Sequence, residues 1–78
     1  MKKIGIIDLG TNTFNLLIAE ANLTGYKIVH KNKIAVKLGE GGITKDFITP
    51  TAFQRGLKAL HGYIETLKEH QVDEYYAV

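Results

Sequence analysis

Residues 7–20 read IDLGTNTFNLLIAE, and this stretch decides the fold. An apolar run enters an aspartate, Asp8, and turns at a single glycine, Gly10. Thr11, Asn12 and Thr13 follow, and the chain then leaves along a second apolar run. Two apolar runs joined by a short polar turn predict a pair of antiparallel strands.

The neighbouring residues extend this pair into a sheet. Residues 3–9 are β-branched and almost wholly apolar, which predicts a first strand buried on both faces. Residues 14–21 predict a second strand, which ends at a turn whose Gly25 can adopt a left-handed conformation. Residues 26–38 alternate in part and predict a third strand, which the sequence GEGG at positions 39–42 ends. The three strands should therefore be antiparallel.

After residues 39–42 the spacing of apolar residues changes from two to between three and four, which predicts a helix that runs to about His70. Thr49 is the expected N-cap, and Pro50 fits the first helical position because its missing N–H has no partner there. The apolar stripe expected to form the core consists of Phe53, Leu57, Leu60, Ile64 and Leu67. Gly56, which is costly in a helix, indicates close packing against the sheet.

Residues 74–78 predict a fourth strand, parallel to its neighbour and central in the sheet. Such a strand requires a further crossover, so we expect residues 1–78 to form the N-terminal portion of a longer domain. An uncovered fourth strand should also pair with another chain or aggregate.

Composition limits the function classes. The 78 residues amount to one domain at most, and a net charge of +2 is too weak to argue for nucleic acid binding. The absence of cysteine excludes disulfides, thiolate metal sites and a cysteine nucleophile. Apolar runs are too short for a membrane span, so we expect a cytoplasmic protein with no membrane partner. His30, His61 and His70 are expected to have surface or packing roles.

The polar turn has the composition of a phosphate site. Gly10 allows backbone N–H groups to converge on an oxyanion, and Thr11, Asn12 and Thr13 add side-chain donors. Asp8 would repel a phosphate, by about 1 kcal/mol at 4 Å in water and about 4 kcal/mol at an effective dielectric of 20. A divalent cation would offset that repulsion, and one carboxylate with waters and phosphate oxygens suits Mg²⁺. We therefore predict that Asp8 holds Mg²⁺ and that the turn holds phosphate.

Two alternatives stay open at this point. Asp8 can instead accept N–H bonds from its own turn, as aspartates in Asx turns do, and the threonines can be present for strand propensity alone. The segment with Lys37 and Glu40 is more simply interpreted as a solvated turn, with Lys37 as a candidate contact for a polyanion.

With these residues in view, the sequence resembles the exopolyphosphatase / guanosine pentaphosphate phosphatase (Ppx/GppA) family. IDLGTNTFNLLIAE is similar to the first phosphate motif of that family, and the Asn-Thr pair after the glycine separates it from sugar kinases and actins. VKLGEGG, ITPTAFQRGLKAL and HQVDEYYAV follow in the family's order and spacing. The resemblance covers essentially the whole chain.

The resemblance implies an α/β fold: the N-terminal part of an actin-like ATPase (ribonuclease H-like) domain, with three antiparallel strands, then a helix, then a parallel strand. It implies a two-domain, Mg²⁺-dependent enzyme that hydrolyses the terminal phosphoanhydride bond of polyphosphate or guanosine pentaphosphate. Asp8 would be its catalytic and metal-site residue, and Gly10, Thr11, Asn12 and Thr13 would bind phosphate. The family's catalytic glutamate and second phosphate loop lie beyond residue 78, and homodimers are common in the family.

Two other functions are compatible with the same turn. One is an ATP-dependent small-molecule kinase of the same superfamily, and the other is a non-catalytic phosphate or nucleotide sensor.

Overall fold

The computed structural model describes residues 2–40 and 47–78. Its elements are β1 (Lys3–Leu9), β2 (Thr13–Asn22), β3 (Gly25–Ala35), α1 (Pro50–Glu69) and β4 (Glu74–Ala77). The strands form one sheet in the order β3-β2-β1-β4. The pairs β1–β2 and β2–β3 are antiparallel, and β4 runs parallel to β1. The predicted succession of strands and helix is confirmed, although Gly41 and Gly42 of the predicted glycine-rich turn lie outside the described residues.

The hairpin between β2 and β3 has a two-residue tip. Asn22 pairs with Gly25, which has a φ of 144° that residues with a Cβ rarely adopt. Further along, Ile18 pairs with His30 and Ala19 with Ile28, so Val29 is the extra residue of a β-bulge. Such a bulge increases the local twist of the pair.

Helix α1 begins and ends as predicted. The Oγ1 of Thr49 accepts a hydrogen bond of 3.2 Å from the backbone N–H of Ala52, and Pro50 occupies the first turn. His70 is the C-cap, and Gln71 follows with a φ of 54°. The described residues contain no helix with both the length and the apolarity that a membrane span requires.

The face that α1 buries differs from the predicted stripe. Phe53 and Leu57 are 51% and 45% exposed, so their assignment to the core is wrong. The buried positions are instead Ala52, Gly56, Ala59, Tyr63 and Leu67. Small residues let the helix approach the sheet closely: a Cβ at Gly56 would lie 3.8 Å from Cζ of Phe14 in β2, and 3.0 Å from Cδ2 of Leu38 in the segment after β3. The close packing predicted at Gly56 is thus confirmed, and it rotates the helix by one position relative to the prediction.

One hydrophobic core lies between α1 and one face of the sheet. The strand and loop residues of this core are Ile7, Phe14, Leu16, Ile18 and Val36, and its helical residues are Ala59, Tyr63 and Leu67. The prediction that β1 is buried on both faces is wrong for the described residues: Ile7 is buried, but Ile6 is 41% exposed. Within residues 2–40 and 47–78, one helix is present and it covers one face of the sheet.

Strand β4 lies at the edge of the described sheet, not in its centre as predicted. Hydrogen bonds from both backbone and side-chain groups join the residues at the start of β4 to β1. The N–H of Asp73 donates to Lys3 O at 3.0 Å, and Lys3 N–H donates to Asp73 Oδ2 at 2.7 Å. Next to them, a hydrogen bond from the Lys2 ammonium, 2.8 Å from Glu74 Oε1, lowers the pKa of the Glu74 carboxyl. Pairing of this edge with another chain stays a prediction.

Candidate phosphate-binding site

The turn between β1 and β2 is closed by a backbone hydrogen bond of 3.1 Å from Gly10 N–H to Thr13 O. A Cβ at position 10 would lie 2.8 Å from that same carbonyl oxygen, closer than real Cβ atoms approach. The turn therefore requires glycine at this position, for the close approach of its two backbone segments.

The carbonyl groups of the turn are held by the segment that follows β3. Val36 N–H and Lys37 N–H donate to Asn12 O at 2.9 and 3.0 Å, and Leu38 N–H donates to Thr11 O at 2.8 Å. In contrast, the N–H groups of Thr11 and Asn12 have no hydrogen-bond partner within residues 2–40 and 47–78. The carbonyl groups of the turn are thus occupied, while two of its backbone N–H groups can donate hydrogen bonds to an anion.

Asp8 lies near the carboxyl end of β1, opposite Asn15 of β2. Its side chain is exposed, and its carboxylate accepts no hydrogen bond from the part of the chain that the structure describes. The alternative in which Asp8 caps its own turn is therefore not the arrangement found. Thr11 and Asn12 are exposed as well, and Thr13 is half-buried. All five predicted residues, including Gly10, lie along one hairpin end.

An open depression of about 550 Å³ adjoins the turn on the side of β3. Its lining residues are Asn12, Thr13, Ala35, Lys37, Gly39 and Glu40. The structure thus brings Lys37, the candidate polyanion contact, beside two residues of the turn. Lys37 has a φ of 46°, in the left-handed region that residues with a Cβ seldom occupy.

Arg55, on the second turn of α1, was not identified from the sequence. Its Nε donates to Val36 O at 2.8 Å, and its Nη2 donates to Lys37 O at 3.0 Å. The same Nη2 lies 3.2 Å from Glu40 Oε1, so the Glu40 carboxylate forms an ion pair with Arg55. The sequence around a helical arginine does not indicate that its side chain binds carbonyl groups 18 and 19 residues away along the chain.

The described residues contain no group of three or more His, Cys, Asp or Glu side chains able to hold a metal ion. The donors near the turn are one exposed carboxylate, Asp8, and hydroxyl and amide oxygens of residues 11–13. This set fits Mg²⁺, which commonly keeps several waters and takes one or two carboxylates together with substrate phosphates. The histidines lie elsewhere: the rings of His30 and His70 contact each other with centroids 5.0 Å apart and planes tilted by 50°, a packing contact in line with their predicted role.

Comparison with known proteins gives a consistent result. An exopolyphosphatase from Cytophaga hutchinsonii is 45% identical, with a TM-score of 0.91 over 97% of this chain. A Ppx/GppA phosphatase from Aquifex aeolicus has the same TM-score over 99% of the chain at 18% identity, which shows the shared fold. A Fusobacterium nucleatum protein named bifunctional 3-dehydroquinate synthase/phosphatase is 37% identical in an alignment 73 residues long, which covers 87% of this chain. No protein-family model matches.

The chain spans only part of these proteins: 24% of the Cytophaga protein, 26% of the Aquifex protein and 11% of the Fusobacterium protein. Over that part, the mixed sheet and its helix have the actin-like ATPase fold of the Ppx/GppA proteins, as predicted. The agreement of fold and the identity to the Cytophaga protein place this chain in the exopolyphosphatase / Ppx/GppA family.

Proposed function

We propose that this chain carries the first phosphate-binding motif of a Mg²⁺-dependent phosphoanhydride hydrolase, acting on polyphosphate or guanosine pentaphosphate. The observation that carries the proposal is the hairpin end itself. An exposed carboxylate, Asp8, lies beside a turn whose Thr11 and Asn12 N–H groups have no partner in the described residues. The name of the 45% identical relative, an exopolyphosphatase, supports the same reaction class.

The residues of the turn divide the work by their chemistry. The N–H groups of Thr11 and Asn12, with the hydroxyls of Thr11 and Thr13, donate hydrogen bonds to phosphate oxygens. Gly10 lets the backbone reach the phosphate without a side chain in the way. These donors are fixed before substrate arrives, because the turn carbonyls are already bonded to residues 36–38. Binding therefore needs little reorganisation of the turn.

Asp8 is the residue that holds the metal, directly or through water. When bound, Mg²⁺ supplies the positive charge that offsets repulsion between the Asp8 carboxylate and the phosphate. Asp8 itself is not the nucleophile in this proposal, and water attacks the terminal phosphorus. Since the chain spans 24% of the Cytophaga protein, we propose the activity for the full-length protein. We also propose that this chain forms part of the first of two actin-like domains in it.

The proposal is tested by phosphate release from polyphosphate and guanosine pentaphosphate in Mg²⁺, with ATP plus sugars as the kinase arm. We expect hydrolysis by the full-length protein, and its loss in Asp8→Asn, which keeps the shape but removes the charge that binds the metal. Glu65→Gln is the matched control, because Glu65 is an exposed carboxylate on α1 away from the turn. Turnover at the wild-type rate in Asp8→Asn would exclude the proposed role of Asp8 in metal binding. Phosphorylation of a sugar would favour the alternative function, an ATP-dependent kinase, over the hydrolase.

A further inference from the structure

Arg55 joins helix α1 to the segment formed by residues 36–40. Its hydrogen bonds to Val36 O, Lys37 O and Glu40 Oε1 measure 2.8, 3.0 and 3.2 Å. The side chain is 34% exposed, so it is partly shielded from water. Bonds donated by an ionised guanidinium are stronger than neutral ones, and the planar fork restricts the geometry of its acceptors. Arg55 therefore holds the segment in one arrangement.

The backbone at Lys37 needs such support. A residue with a Cβ persists at a φ of 46° only where its surroundings hold it there. Lys37 O accepts both from Arg55 Nη2 and from Glu40 N–H, each at 3.0 Å. On its other side, Lys37 N–H donates to Asn12 O at 3.0 Å. The conformation of Lys37 is thus defined jointly by the helix and by the phosphate turn.

Charge in the depression depends on the same arginine. Lys37 and Glu40 both line the depression, and a free Glu40 carboxylate there would repel an anion. Its ion pair with Arg55 offsets that charge. A polyanion that extends from the turn into the depression then meets Lys37 as the remaining cation of its described lining.

We propose that Arg55 is a positioning residue for substrate binding: it holds Lys37 in the conformation in which the Lys37 ammonium binds a second phosphate group of a substrate whose terminal phosphate lies at the turn. This inference rests on the proposed function. In this proposal Arg55 acts through Lys37, since its Nε and Nη2 are engaged by the segment.

The test compares Arg55→Ala, Lys37→Ala and the double variant in the full-length protein. Affinity for inorganic tripolyphosphate is measured by calorimetry, and KM and kcat are measured with polyphosphate. Each single variant should raise Kd and KM about tenfold, the effect of one lost charge-assisted contact, and leave kcat within about twofold. The double variant should be no weaker than Lys37→Ala alone, because Arg55 acts through Lys37.

Two further variants separate positioning from other effects. Lys58→Ala removes an equal charge from the exposed surface of α1 one turn later and should leave Kd unchanged. Arg55→Lys keeps the charge without the fork, and it should weaken binding about threefold with an unchanged melting temperature, even where Arg55→Ala impairs folding.

Several results would overturn the inference. Additive losses in the double variant would show that Arg55 and Lys37 act independently. Recovery of the wild-type Kd in the double variant Arg55→Ala/Glu40→Gln would show that Arg55 only neutralises the Glu40 carboxylate and does not position Lys37. An unchanged Kd in Arg55→Ala, with an active wild type, would remove the inference and leave the proposed function intact. A wild type that binds tripolyphosphate but hydrolyses nothing would instead refute the function, and the Kd comparison would still decide the role of Arg55.

Discussion

The hydroxyl of Tyr63 links the helix to the strand that leaves the phosphate turn. Tyr63 is 2% exposed, and its hydroxyl donates to the carbonyl oxygen of Phe14, the second residue of β2, at 3.0 Å. A second carbonyl, that of Asn32, lies at 3.5 Å, too far to contribute much. Replacing Tyr63 by phenylalanine removes this hydrogen bond while keeping the buried ring.

The magnitude follows from what the substitution leaves behind. Because the ring stays in place, the apolar contribution of the side chain hardly changes, and the loss is confined to the hydroxyl and its acceptor. An average hydrogen bond contributes about 1 kcal/mol, and a buried acceptor left without a partner costs about 1 to 3 kcal/mol. We expect Tyr63→Phe to lower the free energy of unfolding by about 1 to 2 kcal/mol.

Equilibrium urea unfolding measures this difference as a shift of the midpoint at constant slope. Tyr26→Phe is the control: Tyr26 is 69% exposed, so its free energy of unfolding should change by less than about 0.5 kcal/mol. Equal effects of the two substitutions would refute the assignment of the Tyr63 hydroxyl as a structural bond.

The same hydroxyl predicts a pH dependence. Burial raises the pKa of Tyr63, so the folded state disfavours the phenolate relative to the unfolded chain. The contribution of Tyr63 to stability is therefore complete below the unfolded pKa of about 10 and is lost as the pH rises from there through the folded pKa. Tyr63→Phe should reduce the fall in urea midpoint above about pH 10, and an unchanged fall would contradict this cause.

Two further predictions concern the helix and use the same unfolding assay. Leu67→Ala should cost about 2 to 5 kcal/mol because Leu67 is buried, whereas Phe53→Ala should cost less than about 1 kcal/mol because half of Phe53 is exposed; equal costs at the two positions would restore the stripe predicted from the sequence. Gly62→Ala should stabilise by about 0.8 to 1 kcal/mol, because its Cβ would meet nothing within 4 Å. Gly56→Ala should gain nothing, because Leu38 Cδ2 lies 3.0 Å from its Cβ; equal gains at both glycines would contradict this packing.

The elements of the fold were predictable because their signals are local. Thr49 and Pro50 mark the helix start, short apolar runs mark the first two strands, and partial alternation of apolar and polar positions marks the third. The buried face of α1 was predicted one position away from the face that the structure shows. A hydrophobic stripe is read from large side chains such as Phe53 and Leu57, whereas this helix approaches the sheet through Ala52, Gly56 and Ala59. The helix can lie close to the sheet where its side chains are small, and a pattern of hydrophobic residues gives no information on side-chain size.

The candidate site shows the same division between local and long-range signals. Asp8, Gly10 and residues 11–13 were identified because their chemistry lies within one short turn. Their support from residues 36–38 joins backbone groups more than 20 residues apart along the chain and involves no particular side-chain type. A pairing of that kind is set by the register of β2 and β3 and leaves no motif in the sequence.

Gly56 and Arg55 connect the packing of the helix with the candidate site. Glycine in a helix interior costs about 0.8 to 1 kcal/mol relative to alanine, so its presence at position 56 calls for a compensating gain. The gain is close packing: Leu38 Cδ2 lies 3.0 Å from the point where a Cβ would be, so the backbone of α1 lies close to the segment after β3. Arg55 is the adjacent residue, and a guanidinium reaches the carbonyls of Val36 and Lys37 only because the helix lies this near. A larger residue at position 56 would therefore act on the phosphate turn through Arg55, without touching the turn itself.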